Sequence, residues 1–132
     1  MAEWSEFDLD DRVWLMPEEH TKCDKARGVP LSKKATATLI KLRAERPKGE
    51  ARVFHNLKNP ESVSVKFHRI VKRAGIKDLR LHDMRHEFCS RILTKPNGPG
   101  LKAVMDMVGH SSPEMINRYA HLEARDFVDR MG

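Results

Sequence analysis

A chain of 132 residues, 39% hydrophobic and 33% charged, is expected to fold as one soluble domain with an ordinary core. No stretch approaches the roughly 18 consecutive apolar residues of a membrane span, and Met1-Ala2-Glu3-Trp4 is no secretory signal. Two cysteines, Cys23 and Cys89, exclude a disulfide framework and an all-cysteine zinc module, which points to a reducing cytoplasm, and the net charge of +6 is spread unevenly.

Residues 1–20 are acidic, with a net charge of −6. Within and after them, Arg12-Val13-Trp14-Leu15-Met16, closed by Pro17, and Gly28-Val29-Pro30-Leu31 are two extended pieces. The polar stretch 18–27 joins them, so residues 11–31 predict a β-hairpin with a long charged tip. Trp4 and Trp14 are expected as core anchors. Ser32 then has the chemistry of an N-cap; Ala35, Leu39 and Leu42 follow at helical spacing, and Pro47-Lys48-Gly49 stops the helix.

Asn59-Pro60-Glu61-Ser62 starts a second helix, with Val63, Phe67, Ile70, Val71 and Ala74 on one face and Gly75 closing it. A third is predicted from about His82 to Leu93, with Met84, Phe88 and Ile92 inward. Two prolines and two glycines make 95–100 a loop. Leu101, Val104, Met105 and Val108 form a short helix that ends at Gly109. Ser111-Ser112-Pro113-Glu114 has capping-box spacing and opens the helix that carries Tyr119. Ala124, Phe127, Val128 and Met131 give the tail, 121–132, an amphipathic pattern. The expected fold is mainly α, of the α+β kind: one antiparallel hairpin, a helical core over 32–120 and a C-terminal tail.

Two features bear on function. Residues 33–80 carry fourteen basic groups against four acidic ones, a net of +10. Such a block is either a solvated face or a surface for a polyanion, most commonly nucleic acid. The other feature lies in the last fifty residues. His82 and Arg85, three apart at a helix start, share a face and can reach one phosphate. Arginine offers a planar fork for phosphate oxygens, and imidazole moves a proton near neutral pH. The Gly109-His110 turn at a helix N-terminus is a second seat for an anion. Tyr119, the only tyrosine, lies nine residues later, where its hydroxyl could attack phosphorus.

Leu-His-Asp-Met-Arg-His-Glu-Phe-Cys-Ser-Arg (81–91) and Met-Val-Gly-His-Ser-Ser-Pro-Glu-Met-Ile-Asn-Arg-Tyr-Ala-His-Leu (107–122) resemble two signature boxes of the tyrosine recombinases, the phage integrase family. Upstream, Trp4-Ser5-Glu6-Phe7-Asp8-Leu9-Asp10, Val13-Trp14, His20-Thr21-Lys22 and Val29-Pro30-Leu31-Ser32 resemble the hairpin region of prophage integrases. The likeness covers essentially the whole chain, with its motifs in the family's order. It implies site-specific recombination or integration of double-stranded DNA, through a 3′-phosphotyrosyl intermediate and a free 5′-hydroxyl. Residue by residue it implies Tyr119 as nucleophile and Arg85 as a clamp on the non-bridging oxygens. His82 would assist proton transfer, His110 would donate to the scissile phosphate, and Lys22 would protonate the leaving 5′-oxygen. Lys25 and Arg27 are rivals for that last role. The bond energy stays in the phosphotyrosine, so no cofactor and no metal is implied. Self-association on DNA through the tail, a bacterial or phage origin, and association with the nucleoid are expected; a membrane partner is not.

One implied residue is missing. The family's first catalytic arginine lies in a Gly-x-Arg-x-x-Glu-like helix before the Trp-Ser-Glu-Phe stretch, and these 132 residues hold no such helix. The chain therefore reads as the larger, C-terminal part of a catalytic domain, cut by design or by decay of a prophage gene. The alternative is an inactive remnant that binds DNA or a protein partner. A zinc hydrolase is a third reading, because His82 and His86 are four apart. Asp83 stands where the zinc-protease helix has glutamate, so His86 is expected to pack or hydrogen-bond. His20 and His121 are given no role.

Overall fold

The computed structural model describes residues 1–21 and 25–109, together with 117, 119, 120, 124, 125, 128 and 131. The chain divides into two compact units, Met1–Val63 and Ser64–Gly132.

In the first unit, β1 (Phe7–Asp8), β2 (Val13–Met16) and β3 (Arg27–Pro30) form an antiparallel sheet in the order β1-β2-β3. The expected hairpin is β2–β3, paired from Val13↔Pro30 to Met16↔Arg27. Its acidic tip holds a 3-10 turn at Glu18–His20. The third strand was not foreseen, because two residues are too few to show alternation. It is held by side chains instead: Phe7 stacks on Trp14 at 5.3 Å between centroids, and the Trp14 indole donates to Glu6 Oε2 at 2.9 Å. Trp4 and Trp14 are half-buried rather than core anchors. The buried residues of this unit, among the described residues, are Leu9, Met16, Thr36 and Val53. The N-terminus is stitched to the 50–53 segment by Trp4 N–H to the Ala51 carbonyl (2.8 Å) and Val53 N–H to the Ala2 carbonyl (3.0 Å).

Helix α1 (Lys33–Glu45) starts where the cap chemistry places it: the Ser32 hydroxyl accepts from Ala35 N–H at 3.1 Å. Ala35, Leu39 and Leu42 are half-buried, and Thr36 is the buried position, its hydroxyl returned to the Ser32 carbonyl. Ser32→Ala leaves an orphan helix amide and should cost about 1 kcal/mol, read as a lowered urea midpoint. Helix α2 (Glu61–Arg73) follows, with Val71 buried and Val63 and Phe67 half-buried. Ile70 (63% exposed) and Ala74 lie outside the buried face, contrary to expectation. The helix buries a narrow stripe centred on Val71, and Ile70, one residue away, falls about 100° round the helix.

Helices α3 (Leu81–Leu93) and α4 (Leu101–Val108) carry the core of the second unit. It consists of Cys89, Leu93, Val104, Met105, Val108 and Tyr119, with Ile92 and Leu101 packed against it. The face of α3 differs from the expected one. Met84 and Phe88 are 46% and 41% exposed, while Cys89 and Leu93 are buried. The loop between the helices needs Gly98, where a Cβ would lie 2.7 Å from the Ile92 carbonyl oxygen. Helix α4 ends at Gly109 with φ +72°, the left-handed conformation that glycine adopts without strain. The capping stretch 111–114 lies outside the described residues. So does most of the tail, of which Ala124, Arg125, Val128 and Met131 are helical and exposed.

Candidate active site

The candidate site grows from the first turn of α3. The Arg80 N–H donates to Asp83 Oδ2 at 2.8 Å and the Asp83 N–H to the Arg80 carbonyl at 3.0 Å. This reciprocal pair fixes where the helix begins and places a carboxylate at its positive end. Residues 82, 85, 86, 89 and 93 then recur at spacings of three and four, so they share one face. His86, Cys89 and Leu93 on it turn toward α4 and Tyr119, while His82 and Arg85 stay exposed.

On it, Arg85 Nη2 donates to the Val108 carbonyl at 2.6 Å. Val108 ends α4, where unsatisfied carbonyls concentrate negative charge, so a guanidinium is well placed there. The bond uses one of the five N–H donors of the arginine. His110 lies outside the described residues, as does Lys22.

Tyr119 is 2% exposed and packs into the α3–α4 core. Its hydroxyl is hydrogen-bonded to His86 Nδ1, with the two rings 6.1 Å apart. The Cys89 thiol lies in the same buried cluster. Burial pushes that thiol above its ordinary range; the Arg85 charge and the Tyr119 hydroxyl only partly oppose this. Cys89, fully buried, presents no surface to a reagent. His82, exposed, meets the His86 ring edge-on at 4.7 Å between centroids. The structure thus brings His82, His86 and Tyr119 together, with Cys89 in the same buried cluster as Tyr119. His86 makes the hydrogen bond expected of it, but nothing in the spacing names Tyr119 as its partner: the two are 33 positions apart.

The rivals to Lys22 are both described, in the first unit. Lys25 is exposed, and its N–H donates to Thr21 Oγ1 at 3.1 Å. Arg27 is half-buried, with Nη2 directed at Met16 Sδ. Among the described residues no group of three or more His, Cys, Asp or Glu side chains could hold a metal ion. In the second unit a cavity of about 690 Å³ is lined by His68, Lys72, Lys77 and Arg80, with Asp78, over Val71 and Ile76. It joins the end of α2 to the residue that precedes α3. Four groups that are or can become cationic against one carboxylate make it a seat for an anion.

Residues 1–125 match the family model described as the phage integrase family. The chain is 30% identical to the integrase of Salmonella phage P22 over 91% of its own length and 34% of that protein's. It is 32% identical to the integrase of Haemophilus phage HP1, over 91% of this chain and 33% of the relative. The chain spans about a third of the length of these curated relatives. Its fold matches the crystal structure of XerA recombinase with a TM-score of 0.72, at 21% identity, over 97% of this chain and 47% of that one. The two motif boxes, their order and a matching model over nearly the whole length agree: the chain belongs to the phage integrase family.

Proposed function

We propose that this chain is the catalytic segment of a tyrosine recombinase that performs site-specific recombination on duplex DNA. The observation that supports this best is the hydrogen bond between Tyr119 and His86, which unites the two boxes of the family pattern on one face of α3. Tyr119 attacks a phosphodiester, forming the O–P bond of a 3′-phosphotyrosine and releasing a 5′-hydroxyl. Arg85 offers its remaining N–H donors to the non-bridging oxygens, where charge develops in the transition state. His82 moves the phenolic proton, His110 donates to the phosphate, and Lys22 protonates the leaving oxygen. Attack by the 5′-hydroxyl on the phosphotyrosine reverses the step, so no external energy source, cofactor or metal enters.

The same reading assigns double-stranded DNA as partner, a cytoplasmic location at the nucleoid, and self-association on DNA through residues 121–132. The test of the chemistry is a nicked suicide substrate resolved on a denaturing gel, where a covalent protein–DNA band is expected and its absence in every length of the protein defeats the proposal. A second reading, a DNA-binding remnant without cleavage, draws support from the burial of Tyr119, which no phosphate can reach at 2% exposure.

The basic block 33–80, including the cavity lined by Lys72, Lys77 and Arg80, is proposed to meet the DNA backbone. Contact with about four to six phosphates should give a slope of log affinity against log salt of roughly −4 to −5. Fluorescence anisotropy with any labelled duplex measures it, and a flat response would remove the block from the interface.

A further inference from the structure

The residue coupled most directly to Tyr119 is one to which the proposed reaction gives no part. His86 is half-buried on the inner face of α3, one turn beyond His82, and its Nδ1 shares a hydrogen bond with the Tyr119 hydroxyl. Cys89, one turn further and fully buried, lies in the same cluster as Tyr119. Around them Leu93, Val104, Met105 and Val108 are apolar. A phenol in such surroundings needs a partner, because a buried polar group left unsatisfied is destabilising. A thiol is a weak partner and an imidazole a strong one. His86 is therefore what makes this interior position a stable resting place for the tyrosine.

That position is incompatible with attack. A phosphorus atom must come within bonding distance of the hydroxyl oxygen, and Tyr119 is 2% exposed. We propose that His86 is a positioning residue for Tyr119: it holds the hydroxyl inside the second unit and so sets the fraction of molecules that present the nucleophile to DNA. The inference rests on Tyr119 being that nucleophile. It differs from a role for His86 as a base in the reaction, which would make the histidine an aid to cleavage at every stage; a holding role makes it an obstacle at the first.

Asparagine separates the two. Its amide stands as many bonds from the backbone as Nδ1 of histidine and offers a hydrogen bond without the imidazole's proton chemistry. Glutamine places the amide one bond too far.

Because the chain holds one tyrosine, the accessibility of its hydroxyl can be read without ambiguity. N-acetylimidazole acetylates exposed phenols, and peptide mass mapping gives the rate at Tyr119. The intact 132-residue chain should react slowly. His86→Ala should react about tenfold faster, as expected for the loss of one buried hydrogen bond, and His86→Asn should stay near the parent rate. Circular dichroism checks that the variants are folded. If the alanine variant is not, the asparagine and glutamine variants decide: glutamine faster than asparagine supports the proposal, and equal rates overturn it. An alanine variant that is folded and as slow as the parent also overturns it.

On nicked DNA, in a form of the protein that cleaves, His86→Ala should raise the initial adduct rate by about two- to tenfold, with His86→Asn near the parent. A lower rate for the alanine variant, restored by neither substitute, makes His86 a reaction base and ends the holding role. An adduct that survives Tyr119→Phe would sink the nucleophile assignment instead, while leaving the acetylation result as it stands.

Discussion

Tyr119→Phe should abolish covalent attachment to DNA completely in a form of the protein that cleaves. The substitution removes one oxygen and keeps the ring, so the α3–α4 core that encloses Tyr119 stays filled. It loses the hydrogen bond to His86, a change of about 1 kcal/mol in stability, and it removes the proposed nucleophilic oxygen. The contrast between a folded protein and zero adduct is the result to look for. The 132-residue chain by itself should give little adduct even with Tyr119 in place. Of the two arginines that the family pattern implies, it holds only Arg85. Loss of one preorganised donor to transition-state charge typically lowers the rate a hundred- to thousandfold, about 3–4 kcal/mol. A form that carries both arginines should cleave efficiently. Efficient attachment by the short chain would show that Arg85 suffices.

Leu93→Ala should be the most destabilising single truncation on α3, at about 2–5 kcal/mol. Leu93 is 4% exposed and lies in the same cluster as Val104, Met105 and Tyr119, so neighbours on two helices would line the void. For a unit of this size the melting temperature should fall by roughly 10 °C or more. Met84→Ala, at a position 46% exposed, should cost less than about 1 kcal/mol. Calorimetry on both variants tests which face of α3 is inward. Equal losses would return Met84 to the core.

That face is the instructive difference between sequence and structure. Caps, stops and loops were legible because each is a local event: Ser32, Gly75, the 95–100 loop and Gly109 stand where their chemistry predicts. The face of α3 is not local. Apolarity at Met84, Phe88 and Ile92 outlines one stripe, of which Ile92 packs on the core, but the buried positions are Cys89 and Leu93, with half-buried His86 beside them. His86 turned inward because Tyr119 satisfies it, and such a partner is invisible to a periodicity count. The candidate groups His82, Arg85 and Tyr119 were found from motif chemistry. The bond that joins Tyr119 to α3 was not, since it spans 33 residues.

The hold of Arg85 on the Val108 carbonyl has a thermodynamic consequence. An arginine side chain fixed from a free state loses up to about 2 kcal/mol of rotamer freedom. Here much of that loss occurs on folding, so an arriving anion meets a fork already aimed and pays little further ordering. The same bond makes the end of α4 a partner in capture. An anion that accepts from the other N–H groups of Arg85 feeds electron density into the guanidinium and weakens its bond to the Val108 carbonyl, which loosens the Gly109 turn behind it. Sulfate or phosphate should therefore hasten amide hydrogen exchange at Gly109, whose N–H caps the helix on the Met105 carbonyl. In this chain the proposed anion receptor and the brace of a helix end are one side chain, so Arg85 cannot be altered for one role without disturbing the other.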